Sequence, residues 1–228
     1  MLVWKSFVLA FTALLPLVNP LGSALIFLGL VGHQPISVYR SLSRKIAINC
    51  VLFFAVIQLI GSGLLAFFSI SLPIVQLAGG IVIASIGWSL LNQADSSPTL
   101  DKKQAAEEIE DSAIKSTLEE KAFYPFTFPI TAGPGCIVVM LTLSARTVQP
   151  TVTQTIIAHL GVFSAAVVLS LLVYVFYSRA PQVASVVSPA TAHGILRVIA
   201  FIVVCIGVQI AWNGLSVLLP SVLKSAQP

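Results

Sequence analysis

Six apolar runs, each about as long as a membrane helix, divide this sequence. They extend from about Trp4 to Val31, Ile46 to Ser69, Pro73 to Asn92, Ala122 to Ala145, Val152 to Ser178 and Ala192 to Leu219. A helix needs about 20 apolar residues to cross a hydrocarbon core roughly 30 Å thick, so each run can span a bilayer. Charged residues make up only 9% of the chain, against roughly 25% in soluble domains. The sequence therefore predicts an all-α membrane protein with six transmembrane helices.

The acidic residues are confined to one segment. All eight lie between positions 92 and 121, outside the apolar runs. We interpret this segment as a charged cytoplasmic connector, helical in part from Ala105 to Glu120, between a three-helix unit at 1–91 and a second at 122–228. Of the 12 lysines and arginines, nine fall on the connector's side of the predicted membrane and three on the other. Since positive charge accumulates in cytoplasmic loops, both termini are expected on the non-cytoplasmic side.

Composition and residue spacing argue against several other functions. Cys50, Cys136 and Cys205 lie singly in apolar runs, without the spacing of a disulfide framework or a zinc site. The basic residues are scattered, so no nucleic-acid partner is expected. The three histidines are dispersed and no span contains a carboxylate. We therefore expect no metal, no cofactor and no enzymatic activity.

Proline and glycine recur when the chain is shifted against itself. A shift of 113 residues lays Pro16 on Pro129 and Gly22 on Gly135. A weaker echo relates Gly87 to Gly207 in the third and sixth runs. Each half holds three spans, so the second half must cross the membrane in the opposite sense. The pattern predicts two inverted three-helix repeats, an arrangement in which one half rocks against the other to alternate access to a central site.

The first and fourth runs each contain a helix-breaking cluster, Asn19-Pro20-Leu21-Gly22 and Ala132-Gly133-Pro134-Gly135. Proline removes a backbone donor and disrupts the preceding turn. Free backbone groups at membrane depth occur only where protein buries them or a hydrated cavity receives them. Ordinary proline kinks with glycine packing are the alternative interpretation, but two clusters at matching positions favour a site.

Each half-helix that starts after a break presents backbone amides that attract an anion, and freed carbonyls attract an ammonium group. Together they suit a zwitterion. The predicted midplane site comprises Asn19, Pro20, Gly22, Ser23, Thr131, Ala132, Gly133, Pro134 and Gly135.

The same segments carry a family resemblance. LVNPLGSALIF and PFTFPITAGPG resemble the two signature segments of the MarC-like family of bacterial membrane proteins, which is related to small neutral amino acid transporters, and LPIVQLAGG and VQIAWNGL fit the third and sixth spans. The resemblance implies six helices in an inverted repeat, discontinuous first and fourth helices, and transport of small neutral amino acids such as glycine and alanine. Departures at Leu25, Gln76, Val138 and Val139 leave the fold intact and bear on which substrate is carried.

Two further residues are candidates for substrate or proton coupling. His159, inside the fifth span, could carry a proton or simply bond to a neighbouring helix. Arg197 could reach a substrate carboxylate or extend to the membrane interface. Asn49, Gln58, Gln209 and Asn213 could line a polar path or join helices.

The leading hypothesis is a secondary transporter in the bacterial inner membrane, an exporter or exchanger of small neutral amino acids. The alternative is a non-transporting membrane scaffold or stress-response sensor that acts through segment 92–121.

Overall fold

The computed structural model describes residues 1–32, 34–92, 118–186 and 189–225. Within these ranges the chain is helical and has no strand. An irregular segment, Ala122–Thr131, directly precedes α5. The helices are α1 (Leu2–Val18), α2 (Pro20–Val31), α3 (Ile36–Phe67), α4 (Leu72–Asn92), α5 (Pro134–Arg146), α6 (Val152–Ser178), α7 (Ala180–Val186) and α8 (Pro189–Ser225).

Two of the membrane spans are interrupted. Five stretches of the described chain are long and apolar enough to cross a membrane, and the irregular segment with α5 makes a sixth, bent by 71° at its break. Asn19 alone separates α1 from α2 within the first span. The predicted membrane fold with discontinuous first and fourth helices is thus confirmed, while the inverted relation between the halves stays a prediction.

Two helices extend beyond the predicted spans. The helix of the second predicted span, α3, begins at Ile36, ten residues before the predicted start at Ile46. The helix of the sixth span, α8, runs from Pro189 to Ser225. The added part of α3 includes Arg40 and Arg44, both exposed. Arginine is a good helix former, so the backbone continues as helix where the chain leaves the apolar layer. Hydropathy therefore predicts the part of such a helix that lies in the apolar layer of the membrane, but not the residues at which the helix begins and ends.

Five helices form a bundle around the two breaks. The fifth span, α6, packs against α1, α2 and α3, while α3 also contacts the irregular segment and α5. The bundle core is almost free of exposed surface. It includes Leu14, Phe27, Phe54, Met140 and Leu169. The bundle therefore joins both interrupted spans to α6, and it joins the fourth span to α3 as well.

The helices α4 and α8 form a closely packed antiparallel pair beside the bundle. A Cβ atom on Gly80 would lie 2.6 Å from the carbonyl oxygen of Gly207, and a Cβ atom on Gly207 would lie 2.7 Å from that of Gly80. The same two positions meet the backbones of Ala211 and Ala84 in turn. Because a real Cβ atom does not approach a backbone oxygen this closely, only glycine permits the contact.

The outer glycines of this pair show the same exchange. Gly87 lies against the backbone at Ala200, and Gly214 lies against the backbone at Pro73. A displacement of 127 residues converts each contact of α4 on α8 into one of α8 on α4. The local two-fold relation thus pairs Gly80 with Gly207, whereas the sequence echo had paired Gly87 with Gly207.

Most of the connector lies outside the described residues, as does most of the helix predicted at Ala105–Glu120. Its last turn, residues 118–120, is helical. The Glu119 carboxylate accepts a hydrogen bond from Ser41 Oγ at 3.0 Å and forms an ion pair with Lys45 at 2.5 Å. These contacts attach the end of the connector to the start of α3.

Candidate functional site

The first break is a single residue in a left-handed conformation. Asn19 has φ 42° and ψ 66°. Its backbone N–H donates to the carbonyl of Leu15 at 2.9 Å, which ends α1, and its side-chain oxygen accepts from the N–H of Gly22 at 3.1 Å, which caps α2. Asparagine tolerates this conformation better than most residues, and Pro20 starts α2 at the position where proline needs no donor. The backbone groups that the break frees are therefore largely satisfied locally.

Gly22 lets α8 approach this break. A Cβ atom at this position would lie 2.6 Å from a methyl carbon of Leu196 and would also collide with the Asn19 side chain. Pro20, Gly22 and Ser23 are all buried. The predicted residues of the first break thus lie in protein, where α2 and α8 meet.

The second break begins well before the predicted cluster. Ala122–Thr131 contains Pro125 and Pro129, each preceded by a cis peptide bond, and its backbone bonds join residues five apart. The hydroxyls of Thr127 and Thr131 donate to carbonyls five residues earlier, at 2.8 and 2.7 Å. Since each proline removes a backbone donor, the threonine hydroxyls replace part of the missing ladder.

A new helix follows the irregular segment. Gly133 is extended at the N-terminus of α5, and Pro134 is the first helical residue. The structural counterpart of Pro20 is therefore Pro134, a shift of one residue from the sequence alignment. Ala132 and Gly135 are buried, and a Cβ atom on Gly135 would lie 3.3 Å from Leu17 of α1. Pro134 itself is exposed.

The two breaks meet at Tyr177, near the end of α6. The hydroxyl oxygens of Thr131 and Tyr177 are 2.7 Å apart. Ser23 also interacts with the Tyr177 side chain, while its own hydroxyl lies 2.8 Å from the carbonyl oxygen of Asn19. One buried tyrosine thus connects residues from both predicted clusters.

Aromatic rings fill the space beside this connection. Phe27 stacks on Tyr177 with ring centroids 4.5 Å apart and meets Phe126 edge to face at 5.2 Å. All three rings are buried. The break residues are consequently closed on the side of Tyr177, which we call the Tyr177 end of the bundle.

A cavity of about 250 Å³ lies on the opposite side of the breaks, at the Arg146 end of the bundle. It begins about 9 Å from each break, since Ala13 precedes Asn19 by six residues and Val139 follows Gly133 by six. Its walls are formed by α1 and α5, which belong to the two interrupted spans, and by α8. The lining residues are Leu9, Thr12, Ala13, Val139, Thr142, Leu143, Arg146, Ile206, Gln209, Ile210 and Asn213.

His159 belongs to a polar cluster near the Arg146 end. Gln58 Nε2 lies 3.0 Å from His159 Nδ1 and donates to the His159 carbonyl at 2.8 Å. Thr147 Oγ1 lies 3.0 Å from His159 Nε2, and Ser144 Oγ donates to the Gln58 carbonyl at 2.7 Å. Gln58 Oε1 is buried without a hydrogen-bond partner. The cluster joins α3, α6 and the end of α5.

The remaining candidate, Arg197, is not one of the residues that line the cavity. Its side chain is exposed in the first third of α8, one residue after the Leu196 that packs on Gly22. Of the residues predicted to line a polar path, Gln209 and Asn213 line the cavity, whereas Gln58 joins helices.

Comparison with known proteins identifies the family. A family model described as MarC family integral membrane protein matches residues 4–219. The chain belongs to the MarC family. It is 30% identical over 221 residues to the UPF0056 inner membrane protein MarC of Escherichia coli, covering 93% of this chain and 95% of the relative. No solved structure matches the chain.

Two further relatives carry similar names. The chain is 30% identical over 219 residues to the UPF0056 inner membrane protein MarC of Citrobacter koseri, with 93% of this chain and 95% of the relative covered. It is 29% identical over 154 residues to the UPF0056 membrane protein PH0760 of Pyrococcus horikoshii, covering 68% of this chain and 71% of the relative. The apolar spans and these relatives together identify the MarC-family chain as a multi-pass inner membrane protein.

Sequence reasoning missed two residues of this region. Tyr177 is a hydroxyl-bearing aromatic in the last turn of an apolar span, a signal that marks membrane interfaces as often as buried contacts. Arg146 entered only as a charge that sets topology, although it lines the cavity. The sequence gives no indication that these residues meet the first span, because more than 130 positions separate Arg146 from Thr12.

Proposed function

We propose that this MarC-family protein is a secondary transporter, an exporter or exchanger, of small neutral amino acids. The observation that carries the proposal is the asymmetry around the two breaks. A cavity of about 250 Å³ lies at the Arg146 end, while Phe27, Phe126 and Tyr177 close the Tyr177 end. A protein that exposes one central site to each face in turn requires one open and one closed side.

The packing of α4 on α8 supports a motion between two halves. Their glycine contacts are unchanged when the helices are exchanged, as Gly80 with Gly207 illustrates. A two-fold contact of this kind can stabilise, with similar energy, two arrangements of the protein in which the two helices exchange roles. Rocking about this pair would close the cavity at the Arg146 end and open its counterpart at the Tyr177 end.

The residues at the counterpart position are closed. Ala13 of the cavity corresponds to Thr127 under the 114-residue shift that pairs Pro20 with Pro134, and Ile210 corresponds to Ile83 under the 127-residue displacement. Thr127 and Ile83 are both fully buried. The structure therefore fits a state open towards the termini, on the face predicted to be non-cytoplasmic.

The substrate class follows from the MarC-like resemblance and from the cavity's size. A cavity of about 250 Å³ suits a small metabolite, and its lining contains no acidic residue that would select a cation. The break residues Asn19–Ser23 and Thr131–Gly135 are proposed as the central midplane binding site that the protein exposes to each face in turn.

Flux measurements in liposomes test this proposal. Purified protein should catalyse saturable counterflow of labelled glycine, alanine or serine. Asn19→Leu should abolish it because leucine disfavours the positive φ and lacks the cap, while Asn19→Gly should keep part of the flux because glycine accepts that φ. Asn92→Leu, at the exposed end of α4, is the matched control and should retain full flux. Absence of saturable flux for all three substrates contradicts the proposal.

A further inference from the structure

The polar side chains of the cavity differ in whether their hydrogen bonds are used. The hydroxyls of Thr12 and Thr142 donate to backbone carbonyls one turn earlier, at 2.7 and 2.9 Å. Such bonds remove the hydroxyl hydrogens from the cavity. The groups that remain for a ligand belong to Arg146, Gln209 and Asn213.

Gln209 and Asn213 lie one turn apart on α8 and bond to each other. Gln209 Nε2 donates to Asn213 Oδ1 at 3.0 Å. This bond orients the two amides and leaves Gln209 Oε1 as an acceptor and Asn213 Nδ2 as a donor without a hydrogen-bond partner in the described part of the chain. Polar groups within a membrane span are expensive unless they face a partner or a hydrated cavity.

Arg146 adds a permanent positive charge at the last turn of α5. Its guanidinium offers a fork of N–H donors that matches a carboxylate. The carboxylates nearest in sequence within the described ranges are Glu119 and Glu120, and Glu119 is paired with Lys45 at the start of α3. No described carboxylate pairs with Arg146, so an incoming anion can take that place.

The rest of the lining is apolar. It consists of Leu9, Ala13, Val139, Leu143, Ile206 and Ile210. A cavity with one cation, one free amide oxygen and an apolar wall is complementary to a molecule with one carboxylate, one ammonium group and a short apolar side chain.

We propose that this cavity is an outer binding site for a small zwitterionic amino acid. Arg146 binds the carboxylate, Gln209 Oε1 accepts a hydrogen bond from the ammonium group, and the apolar wall contacts the side chain. The site excludes basic amino acids by repulsion from Arg146 and gives a second carboxylate no cation to bind. It deepens the proposed transport function and rests on it for its role, because this is the site that substrate occupies while the Arg146 end is open.

Equilibrium binding of labelled L-alanine to the purified protein in lipid nanodiscs tests the site. Arg146→Gln should weaken binding about 10- to 100-fold, since it removes charge-assisted hydrogen bonds. Arg146→Lys should restore part of the affinity because it returns the charge without the fork. The matched control is Arg179→Gln, an exposed arginine at the far end of α6, which should bind within about twofold of the original chain.

Competition with alaninamide, which lacks the carboxylate, separates a direct contact from a general structural effect. The original chain should prefer alanine over alaninamide by at least tenfold, and Arg146→Gln should lose that preference. A preference that survives the substitution overturns the site, whatever its effect on affinity.

The flux assay separates this site from the transport proposal. Saturable alanine flux whose KM is unchanged in Arg146→Gln overturns the site and leaves transport standing. Alanine binding that depends on Arg146, in a protein without flux, supports the site and overturns transport. Absence of both binding and flux overturns both proposals.

Discussion

The hydroxyl oxygens of Thr131 and Tyr177 lie 2.7 Å apart and tie the fourth span to the fifth beside the first-span break. Thr131 also donates to the carbonyl of Phe126, so the tyrosine hydroxyl is positioned as the donor to Thr131. A single hydrogen bond therefore links the irregular segment to Tyr177 of α6, whose ring stacks on Phe27. We regard this link as the latch of the Tyr177 end.

Tyr177→Phe removes the latch but keeps the stacked ring. Hydrogen bonds between membrane helices are worth about 0.6 kcal/mol on average and up to about 1.7 kcal/mol. We expect the variant to unfold with a free energy lower by about 1 kcal/mol in denaturant titrations. Tyr174→Phe, one turn earlier and only partly buried, is the control. Equal stability of the two variants contradicts the latch.

The paired glycines of α4 and α8 predict equal costs at related positions. Gly80→Ala and Gly207→Ala each place a methyl group against the other helix's backbone, so each should cost about 1–3 kcal/mol by overpacking. Gly63→Ala, where a Cβ atom meets nothing, should be neutral or stabilising because alanine favours helix. Thermal unfolding in detergent measures all three. A cost at only one glycine of the pair argues against the two-fold contact.

His159 is predicted to bind a proton only when its contact with Gln58 breaks. Gln58 Nε2 is a donor, so His159 Nδ1 accepts and His159 Nε2 carries the hydrogen towards Thr147. A second ring proton, on Nδ1, would place the His159 Nδ1–H and Gln58 Nε2–H groups against each other. Rotating the Gln58 amide would not relieve this repulsion, because it would place Gln58 Oε1 against the His159 carbonyl oxygen. Proton binding should therefore loosen α3 from α6.

A pH gradient across the liposome membrane tests this coupling. The original chain should show alanine accumulation that depends on the gradient, and His159→Gln should show flux that does not. The double variant Gln58→Leu, His159→Gln should behave like His159→Gln, because both act on the same contact. A response to the gradient that persists in His159→Gln removes His159 from the coupling.

The sequence predicts the spans well because span length is a direct requirement of the bilayer. It does not predict where α3 starts, since Arg40 and Arg44 leave the apolar layer without ending the helix. Hydropathy responds to the solvent around a helix, whereas hydrogen bonding along the backbone determines its length.

The breaks could be predicted because proline and an asparagine-proline pair act on the local backbone. The contacts that surround them could not, since Tyr177 is 46 residues from Thr131 and reaches it only through packing. The extent of the second break was also underestimated: Pro125 and Pro129 make the whole of Ala122–Thr131 irregular, and not only the cluster at Ala132–Gly135. Local chemistry identified the places of interruption, and tertiary packing decided what they contact.

Alternating access around the two breaks is tested most directly by thiol labelling from water. In a variant whose Cys50, Cys136 and Cys205 are replaced by alanine, Thr12→Cys reports the cavity, and Ser23→Cys, nearly isosteric, reports the Tyr177 end. Without substrate, Thr12→Cys should react because Thr12 is exposed, and Ser23→Cys should not because Ser23 is buried. Saturating alanine should slow the first reaction and accelerate the second. Failure of Ser23→Cys to react in either condition, or changes of the same sign at both positions, would contradict the account.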